Sequence, residues 1–373
     1  MKFEILKDNL KNILNIVEKA VGKNLTLPIL NDVLIETEEN FVKFSCTDLE
    51  IVIISKSLAI IKEKGKIVVS LKLLLDFISL LPNKKIIFSL KENNLFIECE
   101  NFKSRIQVHN PEDFPVIPKV KTTEFIEIQN KVFCEGVSQV VEITSSSQIK
   151  PELSGVYLSF SNDLLKIVGT DSFRLAEKKI ELENKIEKPF NFILPSKTTR
   201  ELVNILKDKE GKIKIFPSSN LVFFEFSPKG ISPFVKIFSK VIEGEYPDYQ
   251  EIIPKSCKTK IIFKKDDFLN HIKTASLFSG RINEINLKVQ PKENKVFISA
   301  KSPEIGETES SIFAKIEGQK IETSFNYRFL IDGLSDIKSS EVVFELSSGE
   351  DPGVLKPVGD LSYIYILMPI KGY

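Results

Sequence analysis

The chain has 373 residues, a hydrophobic content of 42% and 52 basic against 51 acidic side chains. This length accommodates about three domains of ordinary size, and the charge balance lacks the overall basic excess that marks many nucleic-acid-binding proteins. Charge can still be segregated by face, so the balance does not exclude binding to a polyanion.

The first third of the chain predicts a strand, a helix, four strands, a second helix and three further strands. Residues 2–6 form the first strand, and Asp8 or Asn9 is expected to cap the helix that follows, whose apolar residues recur at helical spacing. The second helix, LKLLLDFISLL, follows the strand IVVS and ends at Pro82.

The same order of elements recurs twice more. Strand-then-helix segments begin at Lys2, Glu124 and Lys260. Strand-into-helix segments begin at Ile67, Phe190 and Ile321. This period is too long for a solenoid unit, so we predict three copies of one small domain, at residues 1–122, 123–253 and 254–373. The expected fold class is α+β, with two helices and about eight strands in each repeat, and neighbouring repeats should share sheets because two helices cover a sheet poorly.

A basic residue stands at the start of the second helix of each repeat, as Lys72, Lys197 and Arg328. If the repeats are related by rotation, these side chains present positive charge to a common axis, which suits contacts with phosphates that are independent of sequence. Surface helices in a Lys-rich chain also carry lysine without such a role. The pattern alone leaves both interpretations open.

Motifs for catalysis or metal binding are absent from the sequence. It contains no GxSxG, GxxxxGK[ST], GxGxxG or HExxH pattern, and no CxxC pair. We expect the four cysteines to be buried free thiols in a reducing compartment. The N-terminus does not resemble a signal peptide and no apolar run could span a bilayer, so we expect a soluble, cytoplasmic protein without a membrane partner.

Several segments resemble those of the bacterial sliding clamps, the beta subunits of DNA polymerase III. GVYLSFSNDLLKIVGTDSFRLAEKKI, residues 155–180, is similar to the signature of that family's central domain. Further similar segments, in the same order, are TLPILNDVLIET, TDLE, EDFP, EGEYPDYQEIIP, FNYRFLIDGL and YIYILMPI. Together they cover essentially the whole chain, which is identified as a member of this family on the combined pattern.

The resemblance implies a head-to-tail homodimer, a six-domain ring around double-stranded DNA, with helices lining the hole and sheets outside. Such a clamp is a processivity factor in DNA replication, binds DNA independently of sequence, and has neither catalytic activity nor a cofactor. It would lie in the cytoplasm, associated with the nucleoid. Its implied partners, bound through short Leu/Phe-containing peptides, are the DNA polymerase III catalytic subunit, the clamp loader, other polymerases, ligase and mismatch-repair proteins.

The resemblance also assigns roles to individual residues. A partner-peptide groove would be formed by Leu153, Thr170, Ser172, Phe173, Arg174, Leu175, Pro247, Ile252, Ile366, Leu367, Met368, Pro369 and Ile370. DNA would be contacted by Lys23 or Asn24, Lys72, Lys197, Arg281 and Arg328. The dimer seam would place Leu81 and Val108 of one chain against Leu277 and Phe278 of the other. An ordinary buried strand at residues 366–370, and core positions for the four seam residues, are the alternatives.

The sequence departs from the family pattern at three places, one of which is Asn24, which stands where a basic residue is often found, with Lys23 beside it. Ser172 stands where the family usually has glycine, which is strained if the position requires positive φ. Lys371, Gly372 and Tyr373 replace a usual terminal arginine. Two other functions remain open: a clamp-like peptide-binding scaffold that does not encircle DNA, and an enzyme with an unrecognised site.

Overall fold

The computed structural model describes residues 1–22, 27–118, 124–145, 147, 149–227 and 234–371. Two helices lie in each third of the chain, as the repeats predict. The helices of the described residues are α1 (Lys7–Val17), α2 (Leu71–Leu80), α3 (Asn130–Val141), α4 (Ser196–Leu206), α5 (Lys265–Ser276) and α6 (Tyr327–Asp336). None of them is long and apolar enough to cross a membrane.

The strands of the described residues follow the three repeats. The first repeat contains β1 (Lys2–Leu6), β2 (Asp32–Thr37), β3 (Phe41–Thr47), β4 (Ile51–Leu58), β5 (Ile60–Glu63), β6 (Lys66–Ser70), β7 (Lys85–Lys91), β8 (Asn94–Cys99) and β9 (Phe102–Gln107). The second contains β10 (Ile126–Gln129), β11 (Gly155–Thr170), β12 (Arg174–Pro195), β13 (Lys212–Pro217), β14 (Leu221–Phe226) and β15 (Phe234–Lys240). The third contains β16 (Thr259–Lys264), β17 (Glu284–Gln290), β18 (Lys295–Ser302), β19 (Gly306–Phe313), β20 (Lys315–Gly318), β21 (Ile321–Asn326), β22 (Glu341–Leu346), β23 (Gly353–Pro357) and β24 (Tyr363–Leu367).

The number of strands varies around the predicted value of about eight per repeat. In the first repeat a break at Ala59 separates β4 from β5, so five strands lie between α1 and α2 where four were predicted. In the second repeat β11 and β12 are continuous over 16 and 22 residues. The register between β11 and β12 shifts at Asn162, and such bulges allow long strands to bend while they remain paired.

One compact unit comprises Met1–Glu135 and Lys197–Ile242. Its sheets have the strand orders β10-β13-β14-β15-β4-β3-β2-β6 and β5-β1-β7-β8-β9. β15 of the second repeat pairs antiparallel with β4 of the first. The prediction that neighbouring repeats share a sheet is confirmed by this pairing.

The second compact unit comprises Gly136–Ser196 and Glu243–Tyr373. Its sheets have the orders β11-β12-β24-β23-β22-β16-β20 and β19-β18-β17-β21. Here β12 of the second repeat pairs antiparallel with β24 of the third, which joins these two repeats in the same manner.

Phenylalanine is the main aromatic residue of the core. Ten phenylalanines and two tyrosines are the largest fully buried side chains of the described residues. Cys46, Cys99 and Cys134 are buried as expected, but Cys257 is exposed. The prediction of four buried thiols is therefore wrong for Cys257, which lies in the polar segment before β16, outside the sheets. The described residues contain no group of three or more His, Cys, Asp or Glu side chains that could hold a metal ion.

The start of α1 also differs from the prediction. The helix begins at Lys7, directly after β1, so Leu6 and not Asp8 or Asn9 occupies the N-cap. Asp8 lies in the first turn, where the helix dipole favours a carboxylate. Its Oδ2 accepts a hydrogen bond from Asn83 Nδ2 at 2.6 Å.

Candidate functional site

All of the predicted groove residues lie in the second unit. Leu175 of β12 is opposite Ile366 of β24 in the strand register. Met368 N donates to Phe173 O at 2.9 Å, which continues the pairing beyond the end of β24. The two strands therefore bring together residues that are almost 200 positions apart in the sequence.

The other predicted groove residues flank these strands. Leu153 is buried in a short 3-10 helix, Pro151–Ser154, which precedes β11. Pro247 and Ile252 lie in the segment after β15, and Ile252 is half-exposed. Ile370 N donates to Ser324 O of β21 at 2.8 Å, which holds the end of the chain against the third repeat.

A tight turn between β11 and β12 presents Phe173. Thr170 Oγ1 donates to Arg174 O at 2.7 Å and accepts from Ser172 N at 3.2 Å. Asp171 Oδ1 accepts from the backbone N–H groups of Phe173 and Arg174, at 3.0 Å each. Ser172 has φ of +76°, the left-handed region in which a glycine is favoured. The strain predicted for serine at this position is confirmed, and the hydrogen-bonded turn maintains it.

Arg174 joins this turn to α6. Its Nε donates to Asp171 Oδ2 at 3.0 Å and its Nη1 donates to Asp332 of α6. The guanidinium lies over the ring of Phe329, 4.6 Å from the centroid, and Phe173 stacks on the same ring at 6.4 Å. Because both carboxylates already pair with it, Arg174 fixes the geometry of the turn and is poorly placed to offer a free cation.

The predicted groove residues divide into a buried set, here called the floor, and an exposed set, here called the lip. Leu153, Leu175, Ile366 and Leu367 are each less than 5% exposed. Phe173, at 62%, and Met368, at 36%, are exposed apolar side chains at the ends of the two paired strands. A large apolar side chain next to an adaptable methionine is typical of a surface that receives apolar anchors.

The first unit contains the same turn with different side chains. Thr47 Oγ1 donates to Ile51 O at 2.9 Å, Leu49 has φ of +76°, and Lys240 N donates to Glu50 O at 2.9 Å. By their hydrogen bonds, Glu50 and Lys240 correspond to Phe173 and Met368. Charged residues therefore replace the apolar lip, so the backbone framework occurs twice but its apolar form occurs in the second unit.

The three repeated basic residues occupy equivalent helical positions. Lys72, Lys197 and Arg328 are each the second residue of their helix, α2, α4 and α6, and each is exposed. Lys197 Nζ forms an ion pair with Asp48 of the first unit. Arg281 is 92% exposed. Lys23 and Asn24 lie outside the described residues.

The predicted seam residues differ in exposure. Leu81 is 3% exposed and Val108 and Phe278 are partly buried, whereas Leu277 is 69% exposed. Leu80, next to Leu81, is 83% exposed. Leu80, which was not selected from the sequence, therefore provides the exposed apolar surface next to Leu81.

Two edge strands were also missed by the sequence reasoning. β9 is the edge of the five-stranded sheet and carries exposed Lys103 and Arg105. β19 is the edge of the four-stranded sheet and carries exposed Glu307 and Glu309, of which Glu307 also pairs with Lys301 at 3.1 Å. The charged residues at alternate positions of these strands could have identified them as edge strands from the sequence, because charged side chains protect exposed edges.

Comparison with known proteins gives matches along the chain. Three models of the DNA polymerase III beta subunit match: the N-terminal domain at residues 1–118, the central domain at 127–248 and the C-terminal domain at 250–371. The beta sliding clamps of Staphylococcus epidermidis and Staphylococcus aureus are each 30% identical over 383 residues, covering all of both chains. The DNA polymerase sliding clamp from Bacillus subtilis superposes with a TM-score of 0.95 at 28% identity, again over both whole chains. The DNA polymerase beta subunit of Streptococcus pyogenes, 23% identical with full coverage of both chains, shares the fold at a TM-score of 0.93.

Proposed function

The chain belongs to the DNA polymerase III beta subunit family, that of the beta sliding clamps, and on this basis we propose that two copies form a closed ring around duplex DNA. The clamp would act by topology without catalysing a reaction, in the cytoplasm at the nucleoid. The observation that carries this proposal is the full-length match to sliding clamps, with a TM-score of 0.95 at 28% identity. We propose domain boundaries at 1–122, 123–253 and 254–373, supported by matched domain ranges that end at 118, 248 and 371.

A head-to-tail dimer is supported by two different surfaces. The basic edge strand β9 belongs to the first unit, and the acidic edge strand β19 belongs to the second. Unpaired edges can extend each other's sheets, and opposite charges favour the heterologous contact over contact between like edges. The proposed apolar part of the seam places Leu81 and Val108 against Leu277 and Phe278, and the exposure of Leu277 supports it.

Contact with DNA is supported by the positions of Lys72, Lys197 and Arg328. A cation in the first turn of a helix opposes the helix dipole, at a cost of about 0.3–1 kcal/mol. Three repetitions of an unfavourable position suggest a use other than helix stability. Phosphate contacts of this kind are independent of sequence, and a few weak ones would permit sliding. Arg281, together with Lys23 or Asn24, is proposed to add to them.

The groove of the second unit is proposed to bind short partner peptides with Leu and Phe anchors. Its exposed lip at Phe173 and Met368, above a buried apolar floor, suits such anchors. The proposed partners are the DNA polymerase III catalytic subunit, the clamp loader, other polymerases, ligase and mismatch-repair proteins.

Retention on circular DNA tests the clamp function. The protein would be loaded with its clamp loader and ATP onto a nicked circular plasmid, which is then separated from free protein by gel filtration. A topological clamp should remain with the circle at high salt and should be released when one restriction cut linearises the plasmid. Equal retention on circular and linear DNA, or no retention on either, would contradict it.

A pair of substitutions tests the groove. Phe173→Ser with Met368→Ser should weaken binding of a fluorescein-labelled hexapeptide with Leu and Phe anchors by more than about tenfold, because the apolar surface of the lip is removed. Glu50→Ser with Lys240→Ser changes the corresponding positions of the first unit and should leave affinity unchanged. The dimer should persist in both variants on sedimentation. Unchanged peptide affinity in the first variant would remove these residues from the groove.

A further inference from the structure

A buried carboxylate lies on the same face of β12 as the groove residue Leu175. Glu177 is 2% exposed, and its cross-strand neighbour is Ile364 of β24. Side chains two residues apart in a strand share a face, so Glu177 lies next to Leu175 on the face of β12 that belongs to the proposed groove. Burial of a carboxylate costs free energy unless its oxygens are paired, so its partners indicate what it does.

Both oxygens of Glu177 have partners. Oε2 accepts a hydrogen bond from Tyr249 OH at 2.5 Å, and Oε1 pairs with Lys179 Nζ at 3.2 Å. Tyr249 is 5% exposed and begins the short 3-10 helix Tyr249–Ile252. Burial, and then the hydrogen bond to Glu177, raise the pKa of Tyr249, so its hydroxyl remains a donor.

Tyr249 lies between two residues of the proposed groove, Pro247 and Ile252. Nearby, Tyr246 stacks on Tyr157 of β11 with ring centroids 4.7 Å apart. Among the described residues, the backbone hydrogen bond of residues 243–253 that lies outside helices and strands stays within the segment, from Ile253 N to Gln250 O at 3.3 Å. The placement of this segment against the sheet therefore depends on its buried aromatic side chains.

The first unit shows that the carboxylate is not required by the fold. Ile54 of β4 corresponds to Glu177 of β12. The two residues occupy the same position in the pairing of β4 with β15 and in the pairing of β12 with β24. Ile54 belongs to an apolar cluster with Phe216, Phe223 and Phe238, against which Ile117 packs. An apolar cluster is often at least as stabilising as a buried ion pair, so stability alone does not account for Glu177.

We propose that Glu177 and Tyr249, here named the Glu177–Tyr249 latch, are positioning residues that hold Pro247 and Ile252 in place as a preformed wall of the groove. This inference rests on the proposed function of the groove. Without the latch, the wall would be in its binding position for a smaller fraction of the time. The apparent affinity for a peptide would fall by the same factor as the fraction of time that the wall spends in its binding position.

Tyr249→Phe tests the latch, since it removes the hydroxyl and keeps the ring. We expect the Kd of the fluorescein-labelled hexapeptide with Leu and Phe anchors to rise about tenfold. Amide hydrogen exchange at residues 243–253 should become faster. Glu177→Gln retains an acceptor and should remain closer to the wild type than Glu177→Ala in both measurements.

Tyr363→Phe is the matched control. Tyr363 is also fully buried in the second unit, and its hydroxyl donates to Gln139 O at 3.3 Å. Because it is adjacent to Ile364 in β24, it lies on the opposite face of the strand from this cross-strand neighbour of Glu177. Its removal should lower the melting temperature without changing peptide affinity. Equal effects of Tyr249→Phe and Tyr363→Phe on affinity, or no effect of Tyr249→Phe on affinity and exchange, would overturn the latch. A wild-type protein that binds no such peptide would contradict the groove itself.

Discussion

Two carboxylates of the second unit, those of Glu177 and Asp336, have very different surroundings. Glu177 has a partner on each oxygen, whereas Asp336 at the end of α6 is partly buried near other acidic groups. Burial, followed by the charges of Asp332 and Glu142, raises the pKa of Asp336 to about 7. The folded chain therefore keeps a proton on Asp336 at pH values where the unfolded chain has released it.

This shift predicts a dependence of stability on pH. Between the ordinary pKa of 3.8 and the folded value of about 7, the folded state binds more protons, so the free energy of unfolding falls as pH rises. Asp336→Asn removes this titration and should stabilise the protein relative to the wild type by on the order of 2 kcal/mol at pH 8 but little at pH 4. Thermal unfolding of both proteins between pH 4 and 8 measures the difference. A difference that is constant with pH would contradict the assignment.

At the scale of elements, one junction between repeats is built twice. β4 with β15 in the first unit and β12 with β24 in the second share the register and the threonine–aspartate turn. They also share a backbone hydrogen bond to that turn, donated by Lys240 N in the first unit and by Met368 N in the second. The differences lie in side chains: Glu50 and Lys240 against Phe173 and Met368, and Ile54 against Glu177. The backbone supplies the framework, and a few side-chain differences distinguish the copy that we propose to form the peptide groove.

The proposed contact between β9 of one chain and β19 of the other can be tested by reversing the charges on these edge strands. Lys103→Glu with Arg105→Glu on β9 should raise the dimer Kd by at least about tenfold, because like charges then face β19. Glu307→Lys with Glu309→Lys on β19 should act likewise. A chain carrying both sets restores opposite charges at the seam and should dimerise nearly as well as the wild type. Sedimentation equilibrium measures the association, and a combined variant weaker than either pair would contradict this contact.

Much of the architecture was predictable because the periodic spacing of apolar residues indicates the local secondary structure. The six helices, the strain at Ser172 and the sharing of sheets follow from spacing, the family pattern and the small number of helices. The pairing of Tyr249 with Glu177, and of Arg174 with Asp332, joins residues 72 and 158 positions apart. No spacing rule predicts such pairs, since tertiary packing decides them. The exposure of Cys257 was missed because solvent contact depends on neighbours that are distant in sequence.

For the whole molecule, a balanced net charge of +1 agrees with a clamp held on DNA by topology. A ring that encloses its ligand does not require a large basic surface, and many tight phosphate contacts would slow its movement. In the proposed ring, the exposed Lys72, Lys197 and Arg328 supply a small number of such contacts from each chain.

The salt dependence of DNA binding measures those phosphate contacts. Reversing Lys72, Lys197 and Arg328 to Glu together should weaken binding to a labelled duplex at low salt. The slope of log K against log salt should decrease by about 0.9 for each phosphate that the variant no longer neutralises. Lys197→Glu alone should have a smaller effect than Lys72→Glu, because Lys197 already pairs with Asp48.

A matched control reverses one exposed lysine of each repeat that lies on or beside the sheets: Lys91, Lys188 and Lys292. It introduces the same change in net charge and should alter the slope much less. Equal slopes for the two triple variants would remove the helix positions from the DNA-binding surface.

Electron microscopy of the purified protein in negative stain tests the ring most directly. Each chain contributes three domains, so we expect closed six-lobed rings with a central hole wide enough for duplex DNA. Three-lobed particles without a hole, at concentrations where the protein is active, would contradict it and would favour a peptide-binding scaffold that does not encircle DNA.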